Sequence, residues 1–289
     1  MAGYPLEGIE GTVTSITALS DLVTILHPTT GAIIPHTITI NQSVPALNIT
    51  SQGDTGGMVN RAGLSSGTAQ IVGHYPFVQR QIGATGLITL AGSTLALVRS
   101  WDLTVVSNVR NITATGQADL TCEYFCPSKT VSWSANAECL VESGTVVRSL
   151  TSSSTALVSY PAFVAKIIEE GTDPTLTGTC MIQQRGHAIS IGGSDNQIVN
   201  LALTGTGPLI PSSGTTTAAV FPANVAGIPQ PSWDLNGDGV ADVTLVVTAA
   251  TGRTYSSACF WNRVNIRSSM AGLISVTVDL QLTGPLTVA

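Results

Sequence analysis

Ionised side chains are scarce in this sequence. Asp, Glu, Lys and Arg make up 10% of 289 residues, where a soluble domain ordinarily carries about 25%. So thin a charge protects a free monomer poorly from association, and the simplest reading is a surface largely covered by partner subunits. Positive charge is the scarcer sign, with 11 Lys and Arg against 17 Asp and Glu and a net charge of −6. That balance argues against a nucleic-acid binder, which needs a basic face to neutralise phosphates. It still permits a wall past which DNA slides, because acidic groups repel phosphate. There is no run of the roughly 18 apolar residues that a membrane-crossing helix requires, so no membrane span is expected. Met1 to Glu10 hold neither a basic stretch nor an apolar one, so no secretory signal is expected either.

Catalytic motifs are missing as well. The chain has no His-Glu-x-x-His pair and no phosphate loop. His27, His36, His74 and His187 are scattered through strand-like and turn-like contexts, and a non-enzymatic protein is expected. The cysteines Cys122, Cys126, Cys139, Cys180 and Cys259 are odd in number and irregularly spaced. Cys122 and Cys126 lack the second pair that a zinc site wants, so buried free thiols in a reducing compartment are the better reading. Asn-x-Ser/Thr triplets at Asn41, Asn48 and Asn111 are expected by chance in a chain this rich in Ser and Thr.

What the chain does have is β patterning. Alternating runs such as Thr37–Ile40, Leu103–Val106, Ala188–Ile191, Val199–Leu203, Val243–Val247 and Ile274–Leu280 read as half-buried strands rich in β-branched residues. Hydrophobic residues reach 43%, enough for a full core. One segment differs. Pro161 to Glu170 opens on proline and is followed by Gly171, with Phe163, Val164, Ile167 and Ile168 on one helical face. This punctuation predicts a single amphipathic helix.

Internal repeats carry the most information. Residues 36–51 and 101–114 each read as a strand, a polar break and Asn-Ile-Thr. Residues 197–209 and 273–286 each read as a long alternating strand ending in Thr-Gly and Gly-Pro-Leu, with Cys180 and Cys259 at comparable places ahead of them. Tandem domains would give the order first half, second half, first half, second half. This chain gives first, first, second, second. The economical explanation is nesting: a domain of 81–210 inserted into one made of 1–80 plus 211–289, with insertion at an exposed loop tip. A single large sandwich with an internal duplication is the alternative.

Further stretches suggest a family. Residues 84–105 run from Gly86-Leu87-Ile88-Thr89-Leu90 through a small turn to Ser100-Trp101-Asp102-Leu103-Thr104-Val105. Asn111-Ile112-Thr113 follows, then Cys126-Pro127-Ser128 ahead of the Ser-rich Val131 to Ala135, and finally Leu203-Thr204-Gly205-Thr206-Gly207-Pro208-Leu209. In this order they resemble the tube proteins of tailed-phage tails. The outer copy matches in Asn48 to Asp54, Arg61 to Ala69 and Leu282-Thr283-Gly284-Pro285-Leu286. It departs from the pattern at 211–230, a Pro/Thr/Ala-rich stretch where the inserted copy places its expected helix.

The resemblance implies an all-β protein of two tube-like β-sandwich domains, one inserted in the other, with one short α-helix. It implies that sheets of neighbouring copies join side by side into rings, and that the rings stack into a tube. Six domains usually close such a ring, so three chains would form a pseudo-sixfold trimer. DNA would pass through the bore without specific binding. The other partners implied are a tape measure protein and tail terminators. The location implied is the virion tail, after synthesis in the host cytoplasm.

The sharpest local motif is Asp234-Leu235-Asn236-Gly237-Asp238-Gly239-Val240-Ala241-Asp242. Asp234, Asn236, Asp238, the Val240 carbonyl and Asp242 offer oxygens at the spacing of a Ca²⁺ loop. Position 12 is Leu245 and not Glu, so any Ca²⁺ would be structural. A plain Gly-Asp turn is the competing reading. Trp101, Trp133, Trp233 and Trp261 are expected as core or interface anchors rather than sugar platforms. Arg61, Arg99, Arg110, Arg185, Arg263 and Arg267 suit inter-subunit ion pairs better than phosphate contacts. The rival function is a calcium-stabilised surface-binding or capsid decoration protein.

Overall fold

The computed structural model describes residues 12–17, 34–50, 58, 60–74, 87–95, 98–107, 109–113, 122–125, 131–140, 161–166, 175–188, 197–207, 209–211, 241, 243–248, 253–269 and 274–289. Every regular element among them is a strand. The first nine are β1 (Thr12–Thr17), β2 (Ile34–Ser43), β3 (Ala46–Asn48), β4 (Asn60–Ala62), β5 (Ser66–His74), β6 (Leu87–Leu90), β7 (Ser93–Thr94), β8 (Val98–Ser107) and β9 (Arg110–Asn111). The rest are β10 (Tyr124–Phe125), β11 (Val131–Leu140), β12 (Ala162–Lys166), β13 (Thr175–Ala188), β14 (Ile198–Gly205), β15 (Ile210–Pro211), β16 (Val243–Thr248), β17 (Thr254–Ser269) and β18 (Ser275–Val288).

The protein is all-β. Its main sheet follows the antiparallel path β2-β5-β18-β17-β8-β11-β14-β13-β12-β6-β7. Alternation decides which way each strand faces. In β8, Trp101, Leu103 and Val105 are buried while Asp102, Thr104 and Val106 are not, and β18 repeats the pattern with Val276, Val278, Leu280 and Leu282 inward. A period of two puts one sheet face in the core and the other outside. The path also curls back on itself. Trp133 of β11 meets Phe163 of β12 with ring centroids 4.8 Å apart, although β14 and β13 lie between their strands in the path.

The segment expected to be a helix is β12. Phe163 and Ala165 are fully buried while Ala162 is exposed, a strand's alternation. Both edges of β12 are paired, with β13 on one side and β6 on the other. Phe and Val favour such a half-buried pleat, and two waiting ladders outweigh the helical punctuation. Pro161, read as a helix start, precedes the first strand residue, where its missing N–H costs nothing, and its carbonyl accepts from the Cys180 amide at 3.1 Å. Ile167 to Glu170 lie outside the described residues.

Pairing order repeats along the path. The run β2-β5-β18-β17 is followed by β8-β11-β14-β13. Small details repeat with it. Pairing skips residue 36 in β2 and residue 99 in β8, and a bulge follows Ile182 in β13 and Trp261 in β17. Each first strand leads into a two-stranded ribbon, β3-β4 or β9-β10. A side layer joins each long strand: β16 with β1 on β17, and β12 with β6 on β13. Strands drawn from 87–205 thus fill one contiguous stretch of the path. Those from 34–74 and 254–288 fill the other, and the two stretches meet along β17 and β8.

Trp133 shows how tightly the layers fit. Its indole N–H donates to the Gly207 carbonyl at 2.8 Å, and its ring lies against Gly205, where any added Cβ would collide with it. Gly205→Ala is expected to cost about 1–3 kcal/mol in denaturant unfolding, as overpacking does. Gly186→Ala is expected to be close to neutral in the same assay, because its Cβ would meet only the Asn200 Cβ, at 3.8 Å.

Cys139, Cys180 and Cys259 are free and buried, and Cys122 is partly exposed. Burial pushes the Cys139 and Cys259 thiols up to about 12 and Cys180 up to about 11, from an ordinary 9.0. The thiolate is the reactive form, so at pH 9 these three stay protonated. Iodoacetamide at pH 9 is expected to label Cys122 in the folded protein and these three only after denaturation, as read by peptide mass spectrometry.

Candidate assembly surface

A sheet end is a row of backbone donors and acceptors waiting for a strand. β2 begins the path and pairs only with β5 among the described strands. Its residues Asn41, Gln42 and Ser43 are exposed, while Ile38 and Ile40 half-bury against the core. At the other end of the eight-strand run, β13 is divided by its bulge. Thr175 to Thr179 pair with β12. Beyond the bulge, Gln184 to Ala188 pair with β14 alone among the described strands. β17 has the same division, but there the corresponding part is covered: Val243 to Thr248 pair with its first half, and Arg263 to Ser269 pair with β8.

The outward face is polar and nearly neutral. Asp102 accepts from the Asn136 amide at 2.8 and 3.1 Å, Asn265 donates to Thr104 at 2.8 Å, Gln70 donates to Asp279 at 2.8 Å and Thr204 to Gln183 at 2.7 Å. Register sets Arg267 opposite Asp102 and Arg263 opposite Asp279. Arg99, at the bulge of β8, pairs with Glu138 at 3.1 Å. Opposite charges therefore face one another across strands, and hydroxyls and amides fill the remainder. A depression of about 490 Å³ on this face is lined by Ser100, Asp102, Asn136, Glu138, Asn200 and Arg267 among others.

The two ribbons differ in their surroundings. At the β9-β10 ribbon, the Tyr124 amide donates to the Thr283 hydroxyl at 3.2 Å and the Cys122 amide donates to the Ser65 carbonyl at 2.7 Å. Desolvation, with Cys122 alongside, raises the Tyr124 phenol above its usual range. The β3-β4 ribbon is exposed along both strands. Its neighbourhood shows Leu47 at 52%, Ile49 at 51% and Met58 at 78% exposure, and Ile112 beside the other ribbon also stands at 51%. Ile49 and Ile112 occupy the same place, each in the middle of an Asx turn in which Asn48 or Asn111 accepts from the amide two residues on, at 2.9 Å in both.

Asp234, Asn236, Asp238, Val240 and Asp242 lie outside the described residues, as does Trp233. Trp101, Trp133 and Trp261 are buried, which removes them as sugar-stacking platforms. Arg99 forms its ion pair within the chain. Sequence reading missed the edge residues because an edge is a property of topology. The doubled Asn-Ile-Thr was visible, but it was read as chance glycosylation triplets and half of a repeat, and its role is the pair of turns that close the first strand of each ribbon.

No protein-family model matches the chain, and no curated protein does. Among solved structures, the chain is similar to a protein of the virion of a native gene transfer agent particle: 20% identity, 46% of this chain and 99% of that one, TM-score 0.39. It is similar to the SPP1 tail tube at 11% identity, 45% of this chain and 77% of that one, TM-score 0.35. A third similarity is to the sheath/tube terminator of an extracellular contractile injection system, at 10% identity, 48% of this chain and 98% of that one, TM-score 0.35.

Proposed function

We propose that this protein is a virion structural subunit whose copies complete one another's sheets into rings, which stack into a tail tube that conducts DNA. One observation carries the reading: an eight-strand run of repeating order that, among the described strands, is open at β2 on one side and at the far half of β13 on the other. Such edges invite uncontrolled pairing unless something covers them, and a closed ring of copies covers every one. A low-charge surface fits that burial. The nested arrangement, with 81–210 inserted between 1–80 and 211–289, belongs to the same proposal. Each chain then supplies two units, and three chains supply six.

The polar face would line the bore. It holds amides, hydroxyls and mutually opposed charges, and gives phosphate no basic stripe to bind. The apolar tips at Ile49 and Ile112 would meet the next ring, and the ends of the stack would meet the tape measure protein and tail terminators. The subunit would be made in the host cytoplasm and reside in the virion tail. Negative-stain microscopy of the purified chain is expected to show rings or tubes, and dispersed monomers at high concentration would overturn the reading. Ile49→Asp combined with Ile112→Asp is expected to leave rings and abolish stacks, since two charges would be desolvated at each contact.

The Asp234–Asp242 loop motivates a second reading, a calcium-stabilised surface-binding or decoration protein. In either reading the loop would hold Ca²⁺ structurally through Asp234, Asn236, Asp238, the Val240 carbonyl and Asp242. Millimolar Ca²⁺ is expected to raise the melting temperature and chelator to lower it, with Asp238→Ala removing the response. Chelator that dissolves ligand binding but finds no rings would favour the second reading.

A further inference from the structure

The chain contains a worked example of the junction that the proposed assembly needs. Along β17 and β8, the last strand of one four-strand run pairs with the first strand of the next: Val264 opposite Val105, Asn265 opposite Thr104, Ile266 opposite Leu103. The open edges have the same two identities. β13 is the last strand of its run and β2 the first of the other.

Landmarks fix how one junction maps on the other. The bulge residue 99 and the Asx turn of Asn111 carry β8 onto β2 with a single constant offset, matching residue 36 and Asn48. Cys259 and the bulge after Trp261 carry β17 onto β13 with another, matching Cys180 and the bulge after Ile182. We propose that β2 of one copy adds to the far half of β13 of the next in the register of the β17–β8 junction, with Asn41 opposite Gly186, Ser43 opposite Gln184 and Thr39 opposite Ala188. This rests on the self-assembly reading and deepens it to residue pairs.

A second contact maps independently. Within the chain, the β9-β10 ribbon docks on the end of β18 through the Tyr124 amide and the Thr283 hydroxyl. The ladders send Tyr124, opposite Asn111, to Asn60, opposite Asn48, and they send Thr283, next to the Leu282 that faces Cys259, to Thr206, next to the Gly205 that faces Cys180. The Asn60 amide of the exposed β3-β4 ribbon is thereby assigned to the Thr206 hydroxyl of the neighbour, which is exposed and, already donating to Thr179, is left to accept. Both contacts join the same two copies in the same orientation, which the β2 edge or the ribbon alone would not guarantee. The junction is head to tail, so it propagates around a ring rather than ending in a twofold pair.

Cysteine pairing tests this. Asn41 is exposed, and a Cβ at Gly186 meets only ordinary van der Waals contact, so Asn41→Cys with Gly186→Cys should fold, checked by circular dichroism and a melting curve. Mild oxidation followed by non-reducing electrophoresis is expected to give covalent dimers and higher species from the double variant. It is expected to give only monomer from either single variant. Roughly tenfold less product is expected from Thr39→Cys with Gly186→Cys, whose partners sit diagonally and too far apart. Equal or greater product from that shifted pair would overturn the register, and so would self-linking of Asn41→Cys alone. Oligomers by light scattering that show no cross-link would overturn this junction while leaving self-assembly standing. Monomers throughout would overturn both.

Discussion

Register along the β17–β8 ladder is the constraint on which the rest depends. Seven opposed residue pairs, from Arg263 with Val106 to Ser269 with Ser100, join two sheets that would otherwise each end in bare backbone. A slip of one residue would turn Leu103, Val105, Val264 and Ile266 out of the core together. Those four are among the most deeply buried residues of the molecule. Burial at about 25 cal/mol per Å² of apolar surface makes such a slip prohibitive. The ladder also sets Arg267 beside Asp102 on the opposite face, so the same alignment that fills the core balances the charge outside it.

Polar satisfaction follows from the same alignment. Ser107, at the end of β8, is buried and donates to the Trp261 carbonyl, near the bulge that interrupts the pairing of β17 with β18. A buried hydroxyl without a partner would be costly. The bulge bends β17 so that one half serves the side layer and the other half serves the main sheet. β13 is built the same way. Strands that change layer at a bulge are how packed sheets turn their corners.

Much of this was legible in the sequence. Period-two runs marked β8, β14, β16 and β18, and the order of the repeats is the ground on which the nested arrangement is proposed. The helix expected at Pro161 to Glu170 was illegible for a physical reason. Phe163 and Val164 suit both a helical face and a buried strand, and only the presence of β6 and β13 on either side decides between them. The edges at β2 and β13 were likewise invisible, because nothing in Asn41 or Gly186 announces that a strand lies last in its sheet.

One pair of matched positions has a bearing on folding fidelity. Where the first run puts the small Gly67 under Leu282, the second puts the bulky Trp133 over the small Gly205. Knob and hole have traded strands. If the nascent chain exchanged β11 for β5, Trp133 would be forced against Leu282, and the two glycines would face each other across an empty pocket. Near-identical repeats in one polypeptide are prone to such swaps, and this transposed bulk sorts each strand to its proper mate.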